Sequence, residues 1–143
     1  MSNAQHEALR AWAKGIYALE AATELLIRGF GGKFAQPGNP WVGYDPTHGS
    51  GSWWIEFEKI PEETGALSGG ERRFLDLVAS LGADVPVAMG DILSGMDRTN
   101  LVLAMAAMSH ASGAHEHSGL RISEDGQRMI RDSSLTGALV AWP

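Results

Sequence analysis

Between Ala4 and Arg28 the apolar residues Leu9, Trp12, Ile16, Leu19 and Leu26 recur at steps of three, four or seven, and alanines fill much of the remainder. That periodicity predicts one long helix, stopped at Gly29 and Gly31-Gly32, where glycine allows the backbone turn that ends a helix. The next apolar run changes period. Trp53, Ile55 and Phe57 alternate with Trp54, Glu56 and Glu58, the two-residue repeat of a half-buried strand. Together with WVGYD at 41–45 it predicts a β-hairpin joined by PTHGSGS, its second strand closed by Pro61.

Helical spacing returns at Phe74, Leu77, Val78 and Leu81, which share one face of a helix from Ser68 to about Leu81. A short extended connection, GADVPVAMG, and a single helical turn at DILSGM lead to Asp97, a suitable N-cap for a helix reaching about His110. That helix is apolar on nearly every side from Leu101 to Met108, the pattern of a central helix or of an oligomer interface. GLRISEDGQRMIRD predicts a second hairpin turning at Asp125-Gly126, and LVAW at 139–142 a last strand. The expected fold is α+β: about three main helices packed on a small antiparallel sheet of hairpins, in one globular domain over 1–143.

Composition narrows the function classes. With 44% hydrophobic and 20% charged residues the chain has the make-up of a folded globular protein. It contains no cysteine, which removes disulfides, thiolate metal sites and cysteine nucleophiles and fits a reducing compartment. The longest apolar run, Leu101 to Met108, is too short to span a bilayer, and the N-terminus lacks the pattern of a secretory signal. A soluble, cytoplasmic protein is therefore expected, with no membrane partner. A net charge of −6 argues against a nucleic-acid partner, because phosphate binding needs a basic footprint. Five tryptophans are unusual for this length. They either fill the core beside the sheet or line a contact surface, and the interface residues expected are Trp12, Trp41, Trp53, Trp54 and Phe57.

Leu67-Ser68-Gly69-Gly70-Glu71 resembles the signature of ATP-binding-cassette ATPases, followed by VPVAM, Asp91 and the D-loop-like SGMD at 94–97. The resemblance implies a phosphate held at the helix start by Ser68, Gly69 and Gly70, where backbone amides and the helix dipole favour an anion. It covers about thirty residues and departs from the family at decisive positions. No G-x-x-x-x-G-K-[ST] loop is present, Ile92 stands where the family has its catalytic glutamate, and Pro86 and Gly90 interrupt the apolar strand. Such a chain cannot hydrolyse ATP by that mechanism. Without a ligand, Ser68 and Glu71 form the S-x-x-E capping box of an ordinary helix start.

The segment SHASGAHEHSG brings His110, His115, Glu116 and His117 within eight residues. Neutral imidazole and carboxylate are the donors of zinc sites, and in an extended segment His115 and His117 face the same side. Zinc suits this donor set, with manganese or iron as alternatives, and in a catalytic site Glu116 would act as general base. The same histidines also suit a helix C-terminus, where imidazolium complements the dipole. Because no catalytic motif is complete, the expected function is a non-enzymatic interaction or assembly module, with a protein partner or a second copy and no resident cofactor. The alternative is a small metal-binding or metal-dependent hydrolytic protein built on the histidine cluster.

Overall fold

The computed structural model describes residues 3–47, 49, 51–116, 119–132 and 137–143. It has an α+β architecture of five α-helices and two small hairpins among the described residues: α1 Asn3–Ala13, α2 Tyr17–Arg28, β1 Val42–Asp45, β2 Ser52–Ile55, α3 Gly69–Ala83, α4 Met89–Leu93, α5 Arg98–Ala111, β3 Gly119–Ile122 and β4 Met129–Asp132. The helix count exceeds the expected three for a local reason. The long first helix is two, because Gly15 takes φ 109° and breaks the chain between Ala13 and Tyr17. Glu20 secures the restart: its Oε2 accepts the Gly15 amide at 2.8 Å, in place of the side-chain cap that Ile16 cannot provide.

Helix α2 lies at the centre and packs on both α3 and α5. Ala21, Ala22, Leu25 and Leu26 are buried along it, opposite Phe74, Leu75 and Val78 of α3 and Leu103, Ala104 and Ala107 of α5, in one contiguous core. Small residues on α2 and α5 let the two backbones approach closely. Both expected caps form. Ser68 accepts the Glu71 amide while the Glu71 carboxylate accepts the Ser68 amide, and Asp97 accepts the Asn100 amide at 2.7 Å. Phe74, Leu77 and Val78 are buried and Leu81 packs at the edge of the core, as their spacing predicts.

The hairpins form two separate two-stranded sheets, with no shared sheet across them among the described residues. In the first, Val42 pairs with Ile55 and Asp45 with Ser52; His48 and Ser50 of its loop lie outside the described residues. Its second strand ends at Ile55 instead of reaching Pro61. Phe57–Glu63 is a 3-10 segment with Pro61 inside it, and it inserts Phe57 and Ile60 into the core against α3. Tertiary burial of these two apolar side chains outweighs the alternation that local sequence offers. In the second hairpin Asp125 and Gly126 lie in the turn, with Gly126 at φ 72°. Residues 139–142 are not a strand: the segment runs irregularly back to α5 and α2, where the Val140 amide donates to Ser109 Oγ at 3.2 Å.

Helix α5 is neither wholly central nor wholly exposed. Leu103, Ala104, Ala106 and Ala107 are buried, whereas Leu101, Val102, Met105 and Met108 form an exposed stripe on its outer side.

Candidate metal centre

One set of metal-type donors among the described residues joins three elements, two of them consecutive and the third 90 positions earlier. Glu20 comes from the first turn of α2, His110 from the last turn of α5, and His115 from the 3-10 turn Ala114–Glu116 that follows. Each offers one ligand atom lying within 4.8 Å of the other two. His110 Nε2 and Glu20 Oε1 are 2.7 Å apart, and the two imidazole rings stack at 4.0 Å with 13° between their planes. Tyr17 packs edge-on against His115, with centroids 4.9 Å apart, and contacts the edge of His110 at 6.1 Å.

Two glycines make this arrangement possible. Gly15 turns the chain so that Glu20 sits at the start of α2, facing the end of α5. Gly113, at φ 78°, folds the chain back from α5 so that His115 returns over Tyr17 and His110. A side chain at 113 would press on the Tyr17 ring as well as strain the backbone. The three donors are each about four-fifths buried, with 23%, 22% and 20% of their side-chain surface exposed for Glu20, His110 and His115.

Burial pushes the Glu20 carboxyl up, but hydrogen bonds from the Gly15 amide and His110, with the imidazole charges, outweigh it and hold the group below its usual range. Glu20 is thus an anion at neutral pH, as a metal ligand must be. Nδ1 of His115 is sealed from solvent with no hydrogen-bond partner among the described residues. A metal about 2.0–2.2 Å from each donor needs donors roughly 3.4 Å apart, so the Glu20–His110 pair, at 2.7 Å, must open to take up an ion. Parallel rings aim their lone pairs in parallel, so one imidazole must tilt out of the stack to share an ion.

The sequence-expected ligands divide. His110 and His115 are brought together. Glu116 stands beside them, its Oε1 3.9 Å from His115 Nε2, but its side chain is 64% exposed and it is not part of the three-donor set. His117 lies outside the described residues. Glu20 carries no local sequence signal of this role, because its partner is 90 positions away and the break at Gly15 that places it in a first turn is not legible from the apolar spacing.

The helix start at Ser68, Gly69 and Gly70 is engaged by the chain itself. The Glu71 carboxylate bonds the Ser68 amide and hydroxyl and pairs with Lys33. Its pKa is lowered by the Lys33 and Ser68 hydrogen bonds, so an anion sits where the resemblance implies a phosphate. Of the aromatic residues expected at an interface, Trp41 and Phe57 are core residues of this chain, 2% and 1% exposed. Trp41 can be enclosed because its indole N–H donates to the Phe34 carbonyl at 2.8 Å. Trp12 is exposed and stacks on Phe57, and Trp53 and Trp54 are half-buried, Trp53 against Tyr44 at 4.2 Å. Among the described residues no helix is long and apolar enough to cross a membrane. Compared with protein-family models, curated proteins and solved structures, the chain gives no significant match.

Proposed function

We propose that the chain is a cytoplasmic metal-binding protein that holds one divalent transition metal, zinc by preference, on Glu20, His110 and His115. Convergence of two imidazoles and a carboxylate from three elements, within 4.8 Å, supports this reading. Two histidines with one carboxylate is a set that zinc takes in sites with an open fourth position. Ligation through the buried Nδ1 of His115 would also recover a polar atom whose isolation otherwise costs about 1–3 kcal/mol. The reading departs from a purely non-enzymatic module, because three protein donors leave room on the metal for a small ligand or a water.

Elemental analysis of untagged protein, purified without chelator and without a nickel column, tests it. About one zinc per chain is expected, lost in Glu20→Gln, His110→Ala and His115→Ala and kept in Glu116→Ala. Absence of zinc even after equimolar addition, or retention of full occupancy in Glu20→Gln, overturns the assignment.

A second reading, self-association, is favoured by the outer face of α5. Leu101, Val102, Met105 and Met108 are 36%, 37%, 44% and 37% exposed along one uncharged stripe. A partner face must be equally apolar and free of charge, and a second copy of the same stripe meets that requirement in a two-fold helix pair. Light scattering across a concentration series is expected to show a dimer that Met105→Glu reduces to a monomer. A monomer at high concentration in the unaltered protein would dismiss this reading and leave the metal centre untouched. Neither reading involves nucleic acid.

A further inference from the structure

A cavity of about 430 Å³ opens beside the candidate centre, and Glu20 and His110 form part of its wall. The rest of its lining carries three cations, Arg10 and Lys14 from the α1 end of the chain and Arg28 from the end of α2, together with Glu24, Ala13 and the indole of Trp142. These cations are not equivalent. Arg10 donates through Nε and Nη2 to both oxygens of Glu24, at 2.9 Å each, and Arg28 Nε donates to Glu24 Oε1 at 2.7 Å. Glu24 therefore engages both guanidinium groups and holds them as a rigid edge of the cavity. Lys14 has no ion-pair partner among the described residues, so one positive charge in the wall is uncompensated. The Arg28 guanidinium lies over the Trp142 ring, 5.4 Å from its centroid, and Trp142 also approaches His110, with ring centroids 6.2 Å apart. Trp142 is thereby set as a flat wall between the cationic edge and the metal donors.

We infer that this cavity binds a small, flat organic monocarboxylate, its carboxylate shared between Lys14 and the open position of the metal on Glu20, His110 and His115, and its apolar body against Trp142. The inference rests on the metal reading and deepens it. A volume of this size suits a small-molecule ligand. A single carboxylate matches the uncompensated Lys14, whereas the dianionic charge of a phosphate monoester would meet the nearby carboxylates of Glu20 and Glu24. An aromatic or similarly flat body is favoured because the indole of Trp142 is the one aromatic ring besides the His110 imidazole in this lining and offers stacking area.

Benzoate and its uncharged counterpart benzamide are the probes, titrated calorimetrically into zinc-loaded and chelator-treated full-length protein, with zinc content measured on the same samples. Benzoate is expected to bind the zinc-loaded protein in preference to benzamide and to weaken roughly tenfold or more on removal of zinc. Lys14→Gln, at an exposed position, is expected to weaken benzoate about fivefold while leaving zinc content and the benzamide response unchanged. Full zinc occupancy with no preference for benzoate over benzamide, or with benzoate binding unaffected by Lys14→Gln, overturns the inference and leaves the metal reading standing. Failure to take up zinc overturns both, and benzoate binding that persists at equal strength without zinc overturns the shared carboxylate.

Discussion

Replacing Gly29 by alanine sets two effects of opposite sign against each other. Gly29 caps the end of α2 with φ −73° and ψ 143°, an ordinary extended conformation that alanine adopts without strain. Judged from the backbone alone, the substitution should stabilise the protein by about 0.4–1 kcal/mol, because alanine restricts the unfolded chain. Packing reverses the sign. A methyl group at 29 would fall inside van der Waals contact with the ring of Phe74, a side chain only 1% exposed and held edge-on by Phe30 with centroids 5.2 Å apart. Overpacking of this kind costs about 1–3 kcal/mol. The net expectation is a loss of about 1–2 kcal/mol, which at roughly 3 °C per kcal/mol lowers the melting temperature by about 3–6 °C. Urea unfolding followed by circular dichroism and tryptophan fluorescence would measure it. Gly70→Ala in the first turn of α3 is the control: nothing lies near its added methyl, and it should gain about 0.5–1 kcal/mol. Phe74→Leu removes the ring, so the Gly29→Ala cost should shrink by about 1 kcal/mol in that background. If Gly29→Ala is as stable as the parent, or if its cost is the same with and without the Phe74→Leu change, then the packing of the Phe74 ring against Gly29 is incorrect.

Two further perturbations probe the frame around the candidate centre. Burial pushes the Glu24 carboxyl up, but the hydrogen bonds and charges of Arg10 and Arg28 more than offset this and depress its pKa. A depressed folded-state value means that its stabilisation is complete above the unfolded pKa of about 4.3 and is lost as the pH falls through the folded value. Glu24→Gln should accordingly flatten the acid limb of a stability–pH curve below about pH 5. At pH 7 it should cost about 1–2 kcal/mol, a figure discounted because the Arg10 and Arg28 side chains are 37% and 32% exposed; an unchanged acid limb would refute the role given to Glu24. Gly113→Ala should weaken zinc binding while costing only about 1 kcal/mol of global stability, since it strains a φ of 78° and crowds Tyr17 at the turn that carries His115. Zinc affinity equal to that of the unaltered protein would show that this turn does not position His115.

What the sequence determined by itself was whatever a few neighbouring residues decide. Ser68 with Glu71, and Asp97 with the amide three positions on, meet within one turn, so both helix starts were legible from spacing. The hairpin at 42–55 and the turn at Asp125-Gly126 follow equally local rules. Where the reading and the structure part, a distant contact outweighed a local preference. Phe57 and Ile60 left the strand pattern because a 3-10 turn delivers both to the core against α3, and the apolar face of the first segment gave no sign that Gly15 would divide it. Trp41 and Phe57 were equally plausible at a surface until Phe34, α1 and α3 supplied their surroundings. The candidate centre shows the same division. His110 and His115 stand close enough in sequence to be noticed together, but their carboxylate comes from Glu20, ninety residues earlier, and nothing local marks it as their partner. Only the packing of α2 against α5 joins them, because that packing is driven by small and apolar side chains along two helices, and the polar groups at the helix ends are carried wherever those faces meet.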